Sequence, residues 1–458
     1  MASSITQTIG LGSDNRLSMD MIEKLRAVDE KAIIDPIDNN ITETEDKKKA
    51  LSEITSLMND LESSVSSLGG DTLYLERTAY VSSEGINISI DKGVNPQSLS
   101  IDVNQLAKEE VRQSNTFASR TDTIADNDGN VTISLNGISE TFSVTSSTTL
   151  EEFAQMINDS SLDATAKILN TGNNEYRLVL TSNVTGESNG FTITEDDGIN
   201  LGLSDDNNIV QQAQDAIFQY NGVEVRRDSN KIDDLVYGVN LELTQVTDQP
   251  INIDIKEDSN SIASTLQNFV DNYNKLMEKL NEVTDYNEET KEAGIFQGDN
   301  NINGIKRDIN RLLLQVDSQG RSMMDYGLSL DKEGTLSFDA NEFNKKFSDN
   351  PSDVQSFFVG QDITDRGITT HEDGFFYKLE ESLDRYVDFG SGILQTLTTD
   401  LENQEKRLNE EKEKAMALLD SRYDRMAQQF AQQDAIIGQI NQQMKALQMQ
   451  IDIQTAKK

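Results

Sequence analysis

Sixty-eight consecutive residues, Ser391 to Lys458, contain no proline and only two glycines, Gly392 and Gly438. Within them Leu394, Leu401, Leu408 and Ala415 lie seven apart. Met416, Leu419, Tyr423, Met426 and Phe430 then step by three and four, and Ile437, Ile440, Met444, Leu447 and Ile451 resume the rhythm after Gln433. A seven-residue repeat held this long predicts a coiled coil or a long helix packed along partners. At 1.5 Å per residue such a helix spans about 100 Å, and nothing intrinsic to it buries its stripe. A second set begins near the other end. Leu17, Met21, Leu25, Val28 and Ala32 make one stripe, with Ile37, Ile41, Thr44, Lys48 and Leu51 continuing it in part. Met58, Leu61, Val65 and Leu68 follow up to Gly69-Gly70. Pro36 predicts a joint near residue 35, because proline lacks the amide that a helix interior needs. The two helical ends are each other's nearest intramolecular partners, and other subunits come next.

Between them the apolar period falls to two, the mark of strands. Ile86, Ile88 and Ile90 alternate, as do Leu99, Ile101 and Val103. Val131, Ile133 and Leu135 run into Asn136-Gly137 and return through Phe142 and Val144, a hairpin whose turn tolerates positive φ. Thr149 followed by Glu152 forms a capping box for a short helix through Ile157. Further strands are expected at Tyr176–Leu180 and Phe191–Ile193, then a hairpin at Asn221-Gly222, then Val239–Leu243 and Ile251–Ile255. Helical spacing resumes with Ile262, Leu266, Phe269, Tyr273, Leu276 and Leu280, and again from Ile302. The fold class is therefore α+β, elongated and multidomain, with terminal helices bundled together and β-rich domains inserted between them.

Charge separates these parts. The chain has 80 acidic and 40 basic side chains, a net charge of -40. Residues 71 to 260 hold 32 acidic against 11 basic groups, whereas residues 393 to 458 hold 10 against 9. The near-neutral, Gln-rich final helix suits crowding among helices. The overall excess of acid disfavours nucleic acid and anionic membrane surfaces, which select Lys and Arg. No transmembrane segment is expected, since no apolar run approaches 18 residues. The start, MASSITQTIGLG, lacks the basic and apolar regions of a cleaved signal peptide.

Catalytic chemistry finds little footing. With no cysteine, thiolate nucleophiles and zinc–thiolate sites are excluded. The single His371 sits in a turn-like Thr-His-Glu-Asp-Gly segment without a second histidine to complete a zinc motif. Gly10-Leu11-Gly12 lacks the third glycine of a dinucleotide fingerprint. Glu195-Asp196-Asp197 and Asp233-Asp234 are carboxylate pairs of the kind a glycosidase uses, but 80 acidic residues produce such pairs by chance. Asp126-Asn127-Asp128-Gly129-Asn130 starts like a calcium loop, yet its twelfth position is Gly137 rather than a bidentate glutamate. No catalytic, cofactor-binding or metal-ligating residue is assigned, no cofactor is expected, and the chain is not expected to be an enzyme.

Several segments together carry a resemblance. They include Ile9–Ser13, Met21–Leu25, Val131–Gly137 through Ala164–Ala166, and above all Ala216–Leu243, AIFQYNGVEVRRDSNKIDDLVYGVNLEL. Phe269–Asn274, Gly298-Asp299, Asp349–Val354 and Gly390–Leu394 continue it. The chain resembles the bacterial flagellar filament cap family, hook-associated protein 2, over essentially its whole length. It departs from that family at Asp14-Asn15-Arg16 and in an acidic first helix near Asp29 and Glu30.

The resemblance implies legs, D0 and D1, built from the terminal helices, and a plate built from D2 and D3. On this reading residues 1–35 are the N-terminal D0 leg and 36–78 the N-terminal part of D1. Residues 79–130 and 204–258 are the two halves of D2, with 131–203 inserted as D3. Residues 259–415 complete D1, and 416–458 are the C-terminal D0 leg. It further implies a homo-oligomeric ring, a pentamer, at the distal filament tip. The protein would be secreted through the flagellar type III export route with an export chaperone. At the tip it would promote insertion and folding of flagellin and prevent its loss. Adhesion to host mucin or glycans is a further implied role. Two other readings stay open from the residues: another flagellar axial structural protein, or a surface adhesin.

Overall fold

The structure, a computed structural model, describes residues 19–288 and 291–455. In chain order its helices are α1 (Met19–Gly69), α2 (Asp71–Tyr74), α3 (Leu150–Asn158), α4 (Ser259–Thr284), α5 (Asn300–Leu313), α6 (Ala340–Asp349), α7 (Pro351–Phe358), α8 (Phe375–Val387) and α9 (Ile393–Thr455). The chain divides into two compact units. One gathers the described residues up to Gly70 with those from Ala263 onward, and the other is Asp71–Ile262.

In the helical unit, α1 is a single element that passes through Pro36. The helix does not end near residue 35. Pro36 deprives the Ala32 carbonyl of its partner, but both residues lie on the exposed side, where water substitutes, while Ile34 and Ile37 stay buried on the other. Leu51, Ile54, Met58, Leu61, Val65 and Leu68 are fully buried at steps of three and four. α4 runs antiparallel to this segment. Asn272 Nδ2 donates to Asp60 O (3.1 Å) and Ser64 Oγ (2.8 Å), and Lys279 Nζ meets Glu53 Oε2 at 2.7 Å. An aromatic cluster closes the core. Phe269 meets Phe376 edge-on at 5.2 Å, and Tyr326 stacks on Phe357 at 4.6 Å. Arg321 locks the loop before it by donating to Asp317 (2.7 Å), Asp353 (2.9 Å) and Ser356 Oγ (2.8 Å).

The β-rich unit holds two cores. One lies between a five-stranded antiparallel sheet, in the order 77–81, 251–257, 97–105, 216–220, 223–227, and a three-stranded sheet of 231–236, 239–243 and 86–90. Ile101, Val103, Phe218, Val239, Leu241, Ile251 and Ile253 fill it, the inward members of the alternating runs. The other core joins a sheet of 138–144, 129–135 and 192–195 to one of 209–211, 109–113, 175–185 and 164–172, with α3 against them. Phe153 of α3 meets Phe142 edge-on at 5.8 Å. The strand Glu109–Gln113 turns a charged pair inward. Arg112, bonded to Glu110, also donates to Leu203 O (2.9 Å) and Phe191 O (3.2 Å), and Glu110 Oε2 accepts from Phe191 N (3.0 Å). A buried pair this fully bonded is tolerated, because its donors and acceptors keep partners.

Candidate assembly surface

α9 is rich in Gln, Glu, Lys, Ala, Leu and Met, all strong helix formers. It runs antiparallel to α1. Lys48 pairs with Glu405 (2.5 Å), Asp38 with Lys412 (2.6 Å), Arg26 with Asp420 (2.5 Å) and Asp29 with Arg422 (2.8 Å). The Glu405 carboxylate holds the Lys48 ammonium above its usual pKa. Ile22 and Ile34 are buried with Leu419 and Tyr423, and Met426 and Phe430 pack at the edge. On α9 this contact uses the expected stripe, but on the first turns of α1 it uses a face other than the one the sequence stripe suggested. Met21, Leu25 and Val28 are exposed, and Leu17 lies outside the described residues.

Beyond Phe430 the apolar face of α9 continues in phase, at 100° per residue, through Ile437, Ile440, Met444 and Leu447. These side chains are 47 to 63% exposed. Leu419 on the same face is only 5% exposed. The helix therefore presents one stripe that is buried against α1 along one stretch and open along the next. Met21, Leu25 and Val28 form a second open stripe on α1. Such stripes bury apolar area by lying against another helix. Two further exposed side chains, Tyr237 and Phe389, escaped the sequence reading. Their signal was an aromatic residue directly before a positive-φ glycine, Gly238 and Gly390.

The chemical candidates are bound up in local structure. His371 is in a strand rather than a turn-like segment, and its Nδ1 lies 2.8 Å from Asp362 Oδ1 across the 360–373 hairpin. Glu195 accepts from Gly202 N and Ser204 N, and Asp196 accepts from Asn130 N at 2.8 Å. Asp128 accepts from Ser146 N, while the Asp126 amide donates to Gly198 O. These carboxylates cross-link loops. Asp234 pairs with Arg227 at 3.0 Å, whose hydrogen bond lowers its pKa, and Asp233 is exposed. Gly10 and Gly12 lie outside the described residues. Among the described residues no group of three or more His, Asp or Glu side chains is placed to hold a metal ion.

Terminal helices that meet in one unit and carry open apolar stripes, with β-rich domains inserted between them in sequence, define an α+β multidomain protein. Residues 18–110 match the family model of flagellar hook-associated protein 2, N-terminus, and residues 213–442 match that of its C-terminus. The chain belongs to the flagellar hook-associated protein 2 family. The flagellar hook-associated protein 2 of Helicobacter pylori is 37% identical over 255 residues, covering 54% of this chain and 37% of that protein. That of Campylobacter jejuni is 33% identical over 441 residues, covering 81% and 66%. The matched region thus spans less than two thirds of either relative. The crystal structure of the D1-D2-D3 domains of the flagellar cap protein FliD from Escherichia coli shares the fold. Its TM-score is 0.57 at 22% identity, covering 77% of this chain and 99% of that one.

Proposed function

We propose that this protein caps the bacterial flagellar filament at its distal tip, where it guides exported flagellin into place and prevents its loss. The observation that carries the reading is the open stripe Ile437–Leu447 on α9, in a chain of the hook-associated protein 2 family. A helix that leaves such a face uncovered is built to meet other helices. On this reading the terminal helices form a coiled coil as the D0 and D1 legs, and the segments 79–130, 131–203 and 204–258 form D2 and D3. Subunits associate as a pentameric ring, delivered through the flagellar type III route with an export chaperone. On this reading the work is mechanical, and no residue is assigned a catalytic, cofactor-binding or metal-ligating role. A strain lacking the protein tests it: hooks without filaments, and flagellin shed into the medium, are the expected result. Normal filaments and no shed flagellin would overturn the proposal. Light scattering of the full chain tests the ring separately, and a strict monomer at high concentration would count against a pre-formed pentamer.

A further inference from the structure

The chain contains four Asn-Gly pairs: Asn136-Gly137, Asn189-Gly190, Asn221-Gly222 and Asn303-Gly304. This is the dipeptide most prone to spontaneous loss of the side-chain amide, because glycine leaves the following backbone nitrogen unshielded. The fold treats the four differently. Asn189 is buried and its Nδ2 donates to Thr185 O at 2.6 Å. Asn303 lies inside α5, with Nδ2 donating to Asp299 O at 2.7 Å. Asn136 and Asn221 are near twins. Each is exposed, has φ of 48° and opens a two-residue hairpin turn, between Leu135 and Ile138 or between Tyr220 and Val223. Beyond its own chain neighbours, neither following glycine has a heavy atom within 4 Å of where a Cβ would sit. They differ in one respect. Asn221 Oδ1 accepts from Ser100 N at 2.8 Å, and the Asn221 backbone N–H donates back to Ser100 O at 2.8 Å. The Asn136 side chain makes no hydrogen bond among the described residues.

We propose that Asn136 is a site of spontaneous conversion to aspartate and isoaspartate in the folded protein, while Asn189, Asn221 and Asn303 are held amidated by their hydrogen bonds. The Gly137 nitrogen attacks Asn136 Cγ, forming a C–N bond and losing its proton, and the side-chain nitrogen leaves as ammonia. Solvent water then opens the succinimide at either carbonyl, giving aspartate or isoaspartate, with no change of oxidation state. At Asn221 the carbonyl oxygen must first leave Ser100 before Cγ can turn toward the attacking nitrogen. The isoaspartate product carries the chain through the former side chain. It adds a methylene to a turn whose two positive-φ residues match the twist of its strands. It also adds a negative charge at the hairpin tip, so the turn records the age of each molecule.

The test is to incubate the full-length protein in mildly alkaline buffer and follow each Asn-Gly peptide by mass spectrometry and by isoaspartyl methyltransferase labelling. In the folded protein Asn136 is expected to convert about two to ten times faster than Asn221, the factor that one ordinary hydrogen bond supplies. In denaturant the two rates should converge. Equal rates in the folded chain would overturn the proposal. So would the same ratio in denaturant, which would credit neighbouring residues rather than the fold. An Asn136→Gly variant, which keeps the turn's backbone freedom, should melt as before and lose most early isoaspartate. Undiminished labelling in that variant would also refute the assignment.

Discussion

The hydroxyl of Tyr423 donates a 2.8 Å hydrogen bond to Asp29 Oδ2, and Arg422 Nη1 reaches the same oxygen at 2.8 Å. Residues 394 positions apart in sequence thus tie α1 to α9. Burial and the Asp29 carboxylate hold the Tyr423 phenol above its ordinary pKa. In Tyr423→Phe the donor is lost while Arg422 remains. Amide exchange should accelerate in α1 from Ile22 to Ile34 and leave Asp71–Ile262 unchanged. Identical exchange in the two proteins would mean that this bond holds nothing in place.

The short helix α3 offers a second test. Thr149 Oγ1 accepts from Glu152 N at 3.3 Å, and Glu152 Oε2 accepts from Thr149 N at 2.9 Å. Thr149→Ala breaks the reciprocal cap and should cost about 1 kcal/mol. Phe153→Ala, one turn on, empties a fully buried site and should cost about 3–5 kcal/mol. Denaturant titration of the β-rich unit should rank them in that order.

That cap was legible because all its information is local: two side chains three residues apart satisfy each other's amides. The Asn136-Gly137 and Asn221-Gly222 hairpins were legible for the same reason, as were the alternating strands whose inward members fill the core. The strand Glu109–Gln113 was not. Its inward residues are Glu110 and Arg112, whose partners Phe191 and Leu203 lie some 80 to 90 positions away. The open stripe on α9 could be read from its repeat, but the choice of face on α1 could not. Met21, Leu25 and Val28 make the stronger apolar pattern, yet α9 is met by Ile22 and Ile34 with charged Arg26 and Asp29 between them. The partners of that face lie on a distant helix, and no local period reports them.

Alkaline pH should weaken the helical unit. Burial, and then the hydrogen bond to Asp308 Oδ2 at 2.8 Å, push the Tyr386 phenol up to about 12. An unfolded tyrosine titrates near 10. The folded state holds this proton more tightly, so its contribution is complete below about 10 and is lost as pH rises through about 12. Burial raises Tyr273 and Tyr326 in the same direction. Denaturant midpoints should therefore fall as pH rises above about 10, and Tyr386→Phe should make the fall shallower. A slope unchanged by that variant would assign the effect to the other tyrosines.

The open stripe on α9 separates folding from assembly. Ile437, Ile440, Met444 and Leu447 are about half exposed in the single chain, so replacing all four with glutamate should leave the melting of both units unchanged. In an assembly that buries them, each would contribute about 1.5 to 3 kcal/mol when fully covered. Four charged replacements should then abolish association. Leu419→Glu is the contrasting variant. Leu419 is already buried with Ile22, Ile34 and Tyr423, so charge there should loosen the α1–α9 contact within one molecule and speed amide exchange along both helices. The stripe variant should instead exchange normally, yet give cells that do not swim and that release flagellin into the medium. Normal swimming by the fourfold variant would mean that the stripe packs against nothing that matters for the filament. The assembly role assigned to that half of α9 would then be wrong, while the fold of both units would stand.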